Sequence, residues 1–452
     1  MLKTISRPLV RLAERWLPSA LTFAVVLTLV VALLALLLTD SGPVAVTRAW
    51  GDGLIGLLAF MTQMALILLL GHTLAHTGPV RRLLTRAGTV PRTEAQAYGF
   101  VVLCAALASL ITWGLGLVVG ALLAIEVARS GKERGLRLHF PLLVAAGYSG
   151  FVVWHMGYSG SGPLAAATPG SFVEEQVGAT IPVTETLFSW WNITGAAVTV
   201  VVIVLAMAAL APSRDERVVQ LPDDAELGAP DTALLETGRD EGPSPAERLD
   251  GGRLVTTVLG LALLAYLVTY FAQEGFVLTL DIVNWTFLCL IMLLVGSPAE
   301  LGGLVVDAAR NVGDILLQFP LYAGILGIMT TTGLLTIFAD FFVSVSTPAT
   351  LGLWAFLSGG LINLFVPSGG GQFAVQAPIF LDAADTLGVD PSIVIMAVAY
   401  GDQWTNMLQP FWALPVLAIA RLRIRDIMGF TAVTLLLTGV VFALTIMLPV
   451  WF

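Results

Sequence analysis

The feature that most limits this chain is a series of long, uncharged apolar runs. Leu21 to Leu38 contains no charge, no Gly and no Pro, and comparable runs recur near 53–77, 190–210, 254–273, 281–297, 313–337 and 427–448. Inside a bilayer the backbone satisfies its own N–H and C=O groups only as a helix or a closed barrel. A helix needs about 20 apolar residues to cross about 30 Å of hydrocarbon. With 57% hydrophobic and 12% charged residues over 452 positions, a soluble globular class is excluded. The expected fold is an all-α polytopic membrane protein with about nine full spans, and the lipid bilayer is its first partner. The opening segment does not read as a cleavable signal, because its basic part is long and Leu21–Leu38 is too long for a signal core. Lys3, Arg7, Arg11 and Arg15 lie close to one helical face, which predicts an amphipathic cytoplasmic helix over 1–19.

Charge is concentrated rather than spread. The net charge of −9 comes largely from 212–252, where Asp215, Glu216, Asp223, Asp224, Glu226, Asp231, Glu236, Asp240, Glu241, Glu247 and Asp250 outnumber Arg214, Arg217, Arg239 and Arg248. That stretch reads as an acidic, solvated cytoplasmic linker, and nothing in it suggests a nucleic-acid partner. With the N-terminus inside, Arg48 alone among the Lys and Arg falls outside the cytoplasm, as the positive-inside rule requires. Cys104 and Cys289 both sit in apolar runs and read as packing residues.

Each half of the chain breaks its helical pattern twice. The segment 95–129 is apolar on both sides of Thr112-Trp113-Gly114-Leu115-Gly116, and basic residues flank both its ends. Both ends are then cytoplasmic, which predicts a re-entrant hairpin with Trp113 to Gly116 at its tip. A span over 141–164 meets Gly157-Tyr158-Ser159-Gly160-Ser161-Gly162-Pro163, which should unwind it. In the second half, Val366-Pro367-Ser368-Gly369-Gly370-Gly371-Gln372 marks the tip of a hairpin over 348–385. A second broken span over 391–420 holds Gly401 to Pro410. Gln63 and Thr77-Gly78 pair with Gln318 and Thr332-Gly333 at one shared offset, and Tyr148 and Pro163 pair with Tyr400 and Pro415 at a similar one. These matches predict two inverted repeats, 20–211 and 281–452, joined by a connecting span over 253–273. Inverted repeats with broken helices hold substrate near the midplane in secondary transporters.

These stretches resemble the short-chain fatty acid transporter family associated with acetoacetate and butyrate use in bacteria. The residues that carry the resemblance run nearly end to end. They include Arg15-Trp16-Leu17-Pro18, Trp50-Gly51-Asp52-Gly53, Gly116-Leu117-Val118-Val119-Gly120-Ala121, Ser159-Gly160-Ser161, Ala167-Thr168-Pro169-Gly170, Pro367 to Gly371, Tyr400-Gly401-Asp402-Gln403-Trp404 and Gln409 to Pro415. The resemblance implies a transporter of a bacterial inner membrane, related to the wider ion-transporter group, with two opposed hairpins and an elevator-type movement. His155 and Met156 stand where it leads one to expect small residues.

The broken segments supply the candidate site. Ser368, Gly369, Gly370 and Gly371 could offer backbone N–H groups to one carboxylate, with Asn363 and Gln372 on either side. Trp113, Gly114 and Gly116 come from the first hairpin, and Ser159, Gly160 and Ser161 from the first broken span. Gln403, Trp404 and Asn406 come from the second. Each has a bland alternative: the glycines as close packing, the amides and hydroxyls as partners of unwound backbone, the Trp side chains as core. Asp402 is an acid deep in an apolar run, where a carboxylate is costly and suggests ion coupling; His155 is a second candidate. The expected ligands are a small monocarboxylate and a proton or sodium ion, with a second copy of the chain as a candidate partner. Nothing in the sequence asks for a cofactor. An anion channel is the alternative transport class. Gly157-Tyr158-Ser159-Gly160 also fits a serine hydrolase pattern, but no His follows Ser159, so an enzyme is not expected.

Overall fold

The computed structural model describes residues 20–56, 58–167, 172–213, 215–221, 244–275, 280–310, 312–364 and 369–451. Ser368, the 1–19 helix and most of the acidic linker lie outside the described residues. Among the described residues every regular element is a helix. The first half contains α1 (Ala20–Leu38), α2 (Pro43–Gly53), α3 (Leu58–His76), α4 (Gly78–Gly88), α5 (Glu94–Ile111), α6 (Trp113–Glu133), α7 (Phe140–Ser149), α8 (Ser161–Ala167), α9 (Phe172–Val177) and α10 (Trp190–Ala209). A 3-10 helix, Gly150–Met156, continues α7. Then come α11 (Pro245–Asp250), α12 (Leu254–Glu274), α13 (Leu280–Leu294), α14 (Pro298–Ala309), α15 (Gly313–Thr331), α16 (Leu334–Ser344), α17 (Leu351–Asn363), α18 (Gly369–Leu387), α19 (Pro391–Thr405), α20 (Pro410–Ala420) and α21 (Ile424–Trp451).

Local chemistry sets the helix ends. Thr93 and Ser189 cap α5 and α10 by accepting from the N–H groups of Gln96 and Asn192. Asp390 caps α19 at Ser392, and Pro391 and Pro410 occupy first-turn positions where their missing N–H costs nothing. Gly135 and Gly388, at φ of 74° and 66°, take the left-handed backbone that turns the chain after α6 and α18.

Among the described residues, six units are long and apolar enough to cross a membrane: α5, α6, Phe140–Ala167, α10, α12 and α21. Ala24–Leu38, Asn284–Leu294, Leu316–Thr331, Leu351–Asn363 and Pro410–Ala420 are apolar but shorter. The chain is a multi-pass membrane protein. Burial ranks these helices. The most apolar stretch of Phe140–Ala167 is 94% buried and lies at the centre, whereas that of α12 is 17% buried. Leu254, Val258, Leu261 and Val268 of α12 are exposed, as on a helix whose solvent is lipid.

Glycine lets the central helices touch backbone to backbone. A Cβ on Gly120 of α6 would lie 2.6 Å from the Gly147 carbonyl oxygen of α7. In the second half, a Cβ on Gly359 of α17 would lie 2.9 Å from the Val398 oxygen of α19. Two tyrosines tie the halves together. The Tyr148 hydroxyl donates to the Asn406 carbonyl at 2.5 Å. The Tyr400 hydroxyl donates to Asn192 Oδ1 at 2.6 Å, and Asn192 Nδ2 donates to the Met156 carbonyl at 3.0 Å. Each tyrosine thus anchors the irregular backbone of the other half, directly or through one amide.

The first residues of the acidic stretch dock beside the start of α7. Lys132 Nζ donates to the Leu221 carbonyl at 3.0 Å and Arg137 Nη2 to that of Glu216 at 2.9 Å. The Val219 N–H donates to His139 Nδ1 at 3.0 Å. Burial pushes the His139 imidazole below its ordinary range.

Candidate functional site

The two broken segments and the second hairpin meet at one point. Asp402 lies in the last turn of α19, and His155 lies near the end of the 3-10 helix. They are far apart in sequence, yet His155 Nε2 and Asp402 Oδ2 are 2.7 Å apart, with side chains only 1% and 2% exposed. The Ser161 backbone N–H reaches His155 Nδ1 at 3.2 Å. A backbone N–H can only donate, so Nδ1 is the acceptor and the ring proton sits on Nε2. This network assigns a neutral imidazole that donates to the carboxylate. The backbone N–H of His155 itself donates to Gln403 Oε1 at 2.9 Å.

The sequence reading places open loops where the structure has helix starts. The chain reversal between α5 and α6 falls on Thr112, in extended backbone. Trp113, Gly114 and Gly116 form the first turn of α6 rather than a non-helical tip. Gly369, Gly370 and Gly371 likewise open α18. A helix start leaves its first N–H groups without intrahelical partners, so at Trp113 and Gly114, just after the N-cap Thr112, free donors and regular backbone go together.

That first turn of α18 rests directly on the buried pair. A Cβ on Gly369 would lie 2.8 Å from His155 Nε2 and 2.8 Å from the Trp154 ring. Gly162 meets the Phe373 ring, at 2.8 Å from a Cβ built on it. Asn363, at the end of α17, donates through Nδ2 to the Asp402 carbonyl at 2.9 Å and to Asn406 Oδ1 at 2.6 Å. Gln372 Nε2 donates to the Gly359 carbonyl at 2.8 Å, and Gln376 Nε2 to Ser358 Oγ at 2.7 Å. These two amides lace α18 to α17.

Aromatic rings form one wall. The Trp154 and His155 ring centroids are 3.7 Å apart, Trp154 and Trp412 are 5.9 Å apart, and Trp113 meets Trp412 edge-on at 5.3 Å. Trp404 is not part of it. Its Nε1–H donates to the Leu435 carbonyl at 2.7 Å and its ring packs on Phe356, so it faces α21. Gly116 packs inside the first hairpin, against Ser109.

Several buried polar atoms around this junction have no protein partner: Asp402 Oδ1, Ser159 Oγ, Gln403 Nε2, Thr112 Oγ1, and the Nε1 atoms of Trp154 and Trp412. Each such group costs about 1–3 kcal/mol when left dry, which marks the junction as a place for a polar ligand. No Lys or Arg is buried among the described residues. An Asp–His pair near a serine is also a hydrolase constellation, but here His155 Nδ1 holds the Ser161 N–H and Ser159 Oγ has no base beside it. Sequence reasoning did not nominate Thr112 or Asn192 for this neighbourhood. Both are lone polar residues at helix ends, and only their three-dimensional partners distinguish them from ordinary caps.

Comparison with known proteins agrees in length and kind. A family model described as "Short chain fatty acid transporter" matches residues 1–449. A protein of Escherichia coli (strain K12) named "Putative short-chain fatty acid transporter" is 42% identical over 450 residues, covering 98% of this chain and 99% of that one. A protein of the same name from Haemophilus influenzae is 39% identical over 448 residues, covering 98% of each. Among solved structures, the YdaH transporter of Alcanivorax borkumensis aligns at a TM-score of 0.45 and 19% identity, covering 94% of this chain and 97% of its own. MtrF of Neisseria gonorrhoeae aligns at 0.37 and 17%, covering 96% and 97%.

Proposed function

This chain belongs to the short-chain fatty acid transporter family, and from that premise we propose that it is a secondary active transporter of short monocarboxylates such as butyrate and acetoacetate. It works in a bacterial inner membrane with its N-terminus in the cytoplasm. The observation that carries this reading is the junction of Gly369, His155, Ser161 and Asp402, a buried polar point where both broken segments meet a hairpin. A short carboxylate offers one charge and a small tail. The N–H groups of the Gly369–Gly371 turn suit the charge, and the Trp154–Trp412 wall suits the tail. The absence of buried Lys or Arg among the described residues favours a single charge, since a dicarboxylate would ask for more compensation.

Coupling is by cation symport, with Asp402 as the residue that takes the ion and a proton as that ion. The substrate-contacting groups are Ser159, Ser161, Gln403 and the Gly369–Gly371 turn. Two inverted halves move by an elevator-like displacement of the hairpins and broken segments, and the reciprocal tyrosine anchors support relating the halves in this way. The test is uptake of radiolabelled butyrate and acetoacetate into proteoliposomes, with proton and sodium gradients imposed separately. Saturable, gradient-driven accumulation is expected. If neither acid moves under either gradient the reading fails, and unsaturable flux would indicate a channel. Labelling of Ser159 by a covalent serine-hydrolase probe would instead point to an enzyme.

A further inference from the structure

We infer that the coupling proton lands on Oδ1 of Asp402, that His155 stays neutral throughout as a positioning residue, and that one proton accompanies each carboxylate. This rests on the transporter reading above. The pair offers two atoms for an added proton. Nδ1 of His155 is taken by the Ser161 N–H at 3.2 Å, so protonating it would break that bond and leave a backbone donor facing a cation. Oδ1 of Asp402 is buried and has no partner. A proton there leaves the Nε2–H···Oδ2 bond of 2.7 Å in place, and the charge of the pair goes from −1 to 0.

That change decides whether a substrate anion can enter. Gly369 sits on the imidazole, so a carboxylate held by the first turn of α18 is a near neighbour of Asp402. Two anions in a dry site repel strongly, and a protonated Asp402 removes the repulsion. The proton therefore binds first, and the loaded site is no more charged than the empty, unprotonated one.

No other group competes for this role. Tyr148 and Tyr400 lie on helices packed against the 3-10 helix, but their hydroxyls are committed to Asn406 and Asn192. The elements α8, α10, α17 and α20 carry no ionisable side chain. On α6, α18 and α21 the charged residues lie toward the helix ends away from the pair, at Glu126 to Glu133, Asp382 with Asp385, and Arg425 with Asp426. On α5 they are Glu94 at its start, Tyr98, whose hydroxyl accepts from the His139 N–H, and the partly exposed Cys104. Tyr158 lies in the turn before α8 and is partly exposed.

The test is butyrate binding to the purified full-length protein in weak buffer with a pH-sensitive dye. About one proton should be taken up per butyrate, and the Kd should rise about tenfold per pH unit once Asp402 is ionised. Asp402→Asn should bind butyrate with no proton uptake and a pH-independent Kd. His155→Gln keeps a donor for Oδ2 and an acceptor for Ser161, so proton uptake should persist, whereas His155→Leu should weaken binding and shift the pH profile. Proton uptake that survives in Asp402→Asn but vanishes in His155→Gln overturns the assignment, as does an uptake near two. Should Asp402→Asn fail to fold, infrared difference spectra of the unmodified protein decide. Butyrate should raise a protonated-carboxyl band that is not its own by isotope label, and an imidazolium band instead would refute the proposal. Butyrate transport in proteoliposomes without any proton uptake sinks this inference alone; no transport of any kind sinks the function with it.

Discussion

Gly369 has no room for a side chain, because a Cβ there would meet the His155 ring and Trp154. Gly369→Ala forces about 1–3 kcal/mol of overpacking at the seat of α18. Butyrate uptake should fall about tenfold or more while the protein stays monodisperse in detergent. Gly370→Ala, whose nearest neighbour would be Ser161 Cβ at 4.0 Å, should keep most of it. Equal uptake by both variants would mean that the α18 turn is not seated on His155. His139 offers a different residue-scale prediction. Its pKa is lowered by burial, so the unfolded chain binds a proton more readily than the folded one as the pH drops below the ordinary value of 6.5. The stability it contributes is present above that value and is lost as the pH falls through it. The melting temperature should decline between neutral and mildly acidic pH, and His139→Gln, which keeps an acceptor for Val219, should flatten that decline.

At the scale of elements, the two broken segments are held open by the other half of the chain. Tyr148→Phe removes the bond to the Asn406 carbonyl and should cost about 1 kcal/mol of stability, read as a lower midpoint in thermal unfolding, with slower uptake. An unchanged midpoint would show that the break after α19 supports itself. Gly120→Ala should be far worse than its size suggests, since its Cβ would press on the Gly147 backbone, which cannot rotate aside; loss of folded protein on size-exclusion chromatography is the expected readout. The sequence announces these breaks, because Gly and Pro runs inside apolar stretches free backbone groups at a depth where lipid cannot satisfy them. Asp402 and His155 were also legible, each as an ionisable side chain in apolar surroundings. Their pairing was not, because a contact between residues so distant in the chain leaves no local pattern. Nor could sequence tell that Trp404 turns toward α21, since a lone Trp beside Asp402 reads the same whichever face of α19 it occupies.

For the whole molecule, the all-helical membrane class follows from composition alone, whereas the arrangement of halves rests on weaker signals: an offset repeat and the distribution of Arg and Lys. Arg134 and Thr386 are both exposed, beyond the ends of the first and second hairpins respectively. In a Cys-free background, single Cys replacements at these positions should react with an impermeant maleimide from opposite faces of the membrane; labelling from the same face would overturn the inverted topology. The burial of the His155–Asp402 pair has a last consequence, for the energy economy of the cell. With α18 seated on the imidazole, the proposed coupling requires that turn to lift before a proton reaches Asp402 from either compartment. On the proposed proton symport, a carrier resting in this state holds back the leak that would otherwise drain the proton-motive force whenever no nutrient is present, and a cell can keep many copies in its membrane without running down its own battery.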